Sequence, residues 1–151
     1  MNIINRRLQL LRSSIAIFWL GFFTSISFME APLKFSVLTL QEGLSVGRVV
    51  FKALNTFEWI FIAILGMSLL VRFASRLVTV LILIMCVILV LQSVWLLPVL
   101  DSRAIQIIEG KTQVQSYTHF VFFLFDITKS VVLLMIAWQG IKENLSRHTS
   151  P

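Results

Sequence analysis

Four long apolar runs, each near the roughly 20 residues that the hydrocarbon layer of a bilayer demands of a helix, leave this chain few folds to choose from. They cover residues 13–29, a stretch within 46–71, residues 77–97 and residues 116–140. In hydrocarbon the backbone can satisfy its hydrogen bonds only within the segment itself, so such runs become helices. The expected fold is all-α, an integral-membrane up-down four-helix bundle. Residues 1–12 form a cytoplasmic N-terminal segment, 13–140 the four-span domain and 141–151 a cytoplasmic tail. Composition agrees: 58% of the residues are hydrophobic, against about 45–50% in a soluble domain, and mean hydropathy is +0.91. Pro32 and Pro98 are expected to end the first and third spans, because proline lacks the N–H that continues a helix. Only residues 72–76 join the second span to the third, which makes those two antiparallel neighbours. No internal repeat or second domain is visible.

The net charge of +6 does not point to nucleic acid, because the basic residues sit at the ends of apolar runs and not in one patch. They carry topology instead. Arg6, Arg7, Arg12, Arg72, Arg76, Lys142 and Arg147 fall on one side, and Lys34, Arg48, Lys52, Arg103 and Lys111 on the other, with Arg48 and Lys52 on the second helix itself. The positive-inside rule then places both termini in the cytoplasm and the chain in the cell (inner) membrane. Ile4, Leu8 and Leu11 share a helical face, as in a short helix lying on the inner leaflet. The N-terminus looks like a secretory signal, yet residues 28–31 offer no small-x-small cleavage pattern, so it reads as an uncleaved first span. Arg6-Arg7 reads as a topology determinant in place of a twin-arginine signal. A lone Cys86 excludes an intrachain disulfide and any CxxC site.

Against this apolar background Glu30, Arg48, Lys52, Glu58, His119, Asp126 and Lys129 stand out. A charge inside a span costs roughly 2.5–3.5 kcal/mol even on the mildest scale, so such groups face the protein interior, pair, and often mark a working site. At about 100° per residue, His119 and Asp126 lie about 20° apart on the fourth helix, with Lys129 a further 60° round. Arg48, Lys52, Asn55, Glu58 and Trp59 fall within an arc of about 120° on the second. Two matched polar stripes predict that spans two and four face one another, with Glu58 near Asp126 or Lys129. Counted from the basic anchors at about 1.5 Å per residue, Glu58 stands roughly 21 Å up, Lys129 roughly 20 Å, Asp126 roughly 24 Å and Glu30 roughly 27 Å. These heights describe a polar crater open to the non-cytoplasmic side and closed below by Leu69, Leu70, Leu133 and Leu134.

The third span differs. Thr79, Cys86 and Ser93 recur every seven residues, a seam suited to close helix packing, and Gln92 is its other polar group. Cys86, set in apolar surroundings, is expected to be an inert thiol. Thr39 to Glu42 fits a capping box, which starts a helix near Leu40. Gly43 and Gly47 form GxxxG, which serves either dimerisation or close approach to the first span. Asp101 is placed to cap a short helix ending at Gly110, which either packs at the interface or lies over the crater as a lid.

The segment 30–35, Glu-Ala-Pro-Leu-Lys-Phe, followed by residues 47–55 and Glu58, resembles the signature region of an uncharacterised family of small bacterial four-span membrane proteins. Tyr117, His119, Asp126 and Lys129 match its second polar segment. The resemblance covers about residues 15–130 and implies a four-helix fold; it implies no reaction.

The chemistry must come from the residues. Glu30, Glu58, Asp126 and His119 are plausible hard or borderline metal ligands, but the Glu-x-x-His repeat of di-iron bundles is missing, and Arg48, Lys52 and Lys129 would repel a cation. No metal site is assigned. Haem lacks a second histidine near a span, since His148 lies in the polar tail. No Ser or Cys has a base partner at helical spacing, so an enzyme is disfavoured and no cofactor is expected. Two readings lead, with a metal- or redox-dependent membrane enzyme a less favoured third. The eight residues Glu30, Arg48, Lys52, Asn55, Glu58, His119, Asp126 and Lys129 form a ligand or ion site used in transport or sensing, or they form a charge network that only fixes helix packing. A binding site should leave a cavity and an unpaired carboxylate; a purely structural network should leave neither. Beyond the lipid bilayer, the partner expected for transport is a second copy of the chain, since four spans are few for a carrier built from inverted repeats.

Overall fold

The computed structural model describes residues 3–71, 74–111 and 117–145, with the side chains of residues 3, 31, 118, 119 and 143–145 outside that description. Arg72, Arg147 and His148 also lie outside it. Within it the protein is all-α. The helices are α1 (Ile3–Thr24), α2 (Ala31–Val37), α3 (Leu40–Val71), α4 (Arg76–Leu91), α5 (Leu97–Ile108) and α6 (Thr118–Leu145). Four continuous helical stretches are long and apolar enough to cross a membrane.

Neither proline ends its span. The helix widens to π geometry over Ser25–Glu30 before Pro32 and over Gln92–Leu96 before Pro98, then continues as α2 and α5. A proline ring clashes with the carbonyl one turn earlier and supplies no N–H, and a wider turn relieves both problems without breaking the axis. The N-terminal segment is likewise continuous with the first span, because α1 runs unbroken through Arg12 and Ser13. The capping box closes as expected: the Thr39 N–H donates to Glu42 Oε2 at 3.0 Å and the Glu42 N–H to Thr39 Oγ1 at 3.4 Å. At the other end of the third span, Gly110 takes φ +76°, and Lys111 N–H reaches back to the Gln106 carbonyl at 2.9 Å, which stops α5 where the glycine predicts.

α1 packs along α6, α3 along α1 and α4, and α4 along α6, so α3 and α6 stand diagonally across the bundle. Arg12, Ala16, Trp19 and Phe23 recur on one face of α1 and are all buried, as are Asp126, Lys129, Leu133, Ile136 and Gly140 on α6. The start of α1 and the end of α6 share one end of the bundle, since a Cβ on Gly140 would collide with the Ser13 side chain and the Gln9 carbonyl. Arg12 closes that end by donating from Nε to Ser68 Oγ at 2.8 Å and from Nη2 to the Ser68 carbonyl at 2.6 Å. At the opposite end α2 packs against α3. The missing side chains of Gly43 and Gly47 admit Phe35 and the Lys34 ammonium, so both glycines serve this approach within the chain.

Candidate functional site

At the centre of the bundle lies a three-charge cluster. Lys129 Nζ sits 2.8 Å from Glu58 Oε1 and 3.0 Å from Asp126 Oδ1, with all three residues 1–2% exposed. The cluster is tied into all four spans. From α1, the Trp19 indole N–H donates to Glu58 Oε1 at 3.2 Å, and the Phe23 ring lies 4.9 Å from the ammonium. From the third span, Gln92 Nε2 donates to Asp126 Oδ1 at 3.2 Å. A buried ion pair offsets the desolvation of its members only when further hydrogen bonds complete it, and Trp19 and Gln92 supply them.

Glu58 therefore meets Lys129 as expected, but the two polar stripes do not face each other. The lysine reaches across the bundle axis to a diagonal helix. At about 100° per residue Glu58 lies about 80° from Arg48 on α3, while Lys52, Asn55 and Trp59 lie within about 40° of Arg48. Those four turn to the third span. Arg48 grips Asp101 of α5 through Nε at 2.6 Å and Nη2 at 3.2 Å, with Lys52 at 3.6 Å. Asn55 Nδ2 and the Trp59 indole N–H both donate to Ser93 Oγ, at 2.8 Å and 3.0 Å. Asp101 is thus a partner of Arg48 and not a helix cap, and Ser93 belongs to a polar contact and not to a bare packing seam.

Glu30 stays apart from the central carboxylates and bonds Lys34 Nζ at 3.2 Å. Among the described residues, no three of His, Cys, Asp and Glu converge on one point. His119 lies in the first turn of α6, and its side chain is outside the described residues. The expected floor needs correction too: Leu133 is fully buried and Leu69 packs on the core, but Leu70 and Leu134 point outward, 87% and 56% exposed. The apolar layer beneath the cluster is made by Ile62, Leu65, Leu133 and Ile136.

Above the cluster opens a cavity of about 430 Å³, with Asp126 in its lining. Its walls are mostly apolar and aromatic, including Phe28, Phe35, Phe51 and Phe122. The α5 residues Leu97, Leu100 and Ala104 complete them, so this helix covers the crater as well as packing. Lys34, Arg48 and Asp101 contribute the charges. Both π segments border this region: Ser27 and Phe28 from the first line the cavity, and Gln92 and Ser93 from the second hold Asp126 and α3. Helical spacing in the sequence does not single out Lys34, Asp101, Trp19 or Gln92 as site residues. An amide in the most apolar span was the available signal for Gln92; nothing local marked Trp19.

No protein-family model matches the chain, and no curated protein or solved structure matches it either.

Proposed function

We propose that this multi-pass protein of the cell (inner) membrane, of the small bacterial four-span kind that residues 30–58 resemble, binds a small ligand in the cavity above its charge cluster, for transport or sensing. Both termini are cytoplasmic in this reading, because Arg6, Arg7, Arg12, Arg76 and Lys142 gather at one end, and the cavity faces the other side of the membrane. The observation that carries it is the cavity itself, whose volume falls within the about 300–1,000 Å³ of small-ligand sites and whose lining joins an aromatic wall to charged groups. A second reading has its own support. Every carboxylate of the cluster and of the cavity lining is engaged by a cation, as a network that only fixes helix packing would require. The two divide the site by depth: the triad holds the helices and the cavity binds.

Ala104 lines the cavity and is 7% exposed, so Ala104→Phe should fill it. Native mass spectrometry of the detergent-extracted protein should show a retained small molecule that Ala104→Phe loses while its thermal unfolding stays close to that of the wild type. Absence of any retained or added ligand in the wild type, or equal retention by both proteins, would leave only the packing role.

A further inference from the structure

We infer that the ligand is an amphipathic anion, a single oxyanion head on an apolar body, with its head on Lys34. This rests on the reading of the cavity as a binding site and adds the chemistry of what fills it.

The carboxylates of the lining are already served. Asp101 takes both arms of Arg48 together with Lys52, and Asp126 takes Lys129 and Gln92. Lys34 is served less well. Its side chain is 6% exposed, and its ammonium has one oxygen partner among the described residues, Glu30 Oε2 at 3.2 Å. Its other neighbours are the rings of Phe35 at 5.5 Å and Phe51 at 5.2 Å, which stabilise the charge without accepting a full hydrogen bond. An ammonium carries three donors, so two are left for an acceptor that the described part of the chain does not supply. Lys129, whose side chain is 1% exposed, has two carboxylates within 3.0 Å. Ser27 Oγ, also in the cavity lining, is a buried polar atom without a partner among the described residues. Lys34 Nζ lies close over Gly47, where a Cβ would stand 2.8 Å from it. An oxyanion at this point meets unfilled donors, and the remaining volume is bounded by phenylalanine and leucine side chains, which suit a chain or ring and not a second charge.

The test uses the full-length protein in a neutral polyoxyethylene detergent, titrated in native mass spectrometry with laurate, 4-phenylbutyrate and dodecanol. A carboxylate should bind wild type at least about tenfold tighter than dodecanol, and Lys34→Met should bring the carboxylate down to the alcohol's affinity. Lys34→Arg should keep most of the preference. Tighter binding of laurate points to a membrane-borne chain and of 4-phenylbutyrate to a water-soluble acid; either supports the inference. Equal binding of carboxylate and alcohol by wild type overturns it without recourse to any variant, as does a preference that survives Lys34→Met. Both of those results leave the cavity a binding site as long as Ala104→Phe blocks the probes. Failure of every probe to bind wild type removes both readings together.

Discussion

Lys129 on α6 and Glu58 on α3 meet at 2.8 Å across the centre of the bundle although their helices are diagonal and not neighbours. The reach of a lysine side chain makes this contact, and the fully buried Trp19 and Gln92 of the two intervening spans enclose it.

Because one ammonium serves two carboxylates, Lys129→Met should destabilise the protein by about 3–5 kcal/mol, the cost of leaving buried charge uncompensated. Adding Asp126→Leu should recover only part of this, since Glu58 stays unpaired. Lys129→Met with Asp126→Leu and Glu58→Gln should restore most of it. Thermal or denaturant unfolding in one detergent ranks the three, and full rescue by the double variant would mean that Glu58 is not a true partner.

Trp19→Phe keeps most of the buried ring and deletes the N–H that holds Glu58. It should cost about 1–3 kcal/mol, typical of a hydrogen bond to a buried charged group. In the variant background Glu58→Gln the same change should cost less. Equal costs in the two backgrounds would show that the indole contributes packing alone.

The Arg48 and Asp101 side chains are 30% and 23% exposed, so Asp101→Asn should destabilise far less than Lys129→Met in the same unfolding assay. Its larger effect should fall on the cavity, since the bridge joins α3 to α5 over it. Probe affinity should therefore change more than stability.

Gly140→Ala forces a Cβ against Ser13 and should loosen the contact between α1 and α6 at a cost of about 1–3 kcal/mol. Ser13→Ala in the same chain removes the hydroxyl it meets and should return part of that loss. No recovery would point to the Gln9 carbonyl, 3.2 Å from the new Cβ, as the decisive clash.

Orientation is checked by single cysteines at the exposed positions Gln41 and Glu109 in a Cys86→Ser background. An impermeant thiol reagent should label both in intact cells. Labelling only after permeabilisation would put the cavity on the cytoplasmic side.

By itself the sequence determined the four spans, the shared end of the start of α1 and the end of α6, the capping box before α3, the glycine stop after α5 and the nearness of Glu58 to Lys129 and Asp126. Each follows from hydrophobic length or from spacing within one helix, where backbone geometry leaves little freedom. What only the tertiary structure decided is which helix each polar face meets. An arc of about 120° on α3 is wide enough to touch two neighbours, and it does, sending Glu58 to the bundle axis and Arg48, Lys52, Asn55 and Trp59 to the third span. The π segments hid the rest. A widened turn shifts the rotation of every residue beyond it relative to ideal helical counting, so the direction of Asp101 could not be counted from α4, nor that of Lys34 from α1. The pairing of Asp101 with Arg48, and the cavity between α2 and α5, exist because both helices pass through proline instead of stopping at it.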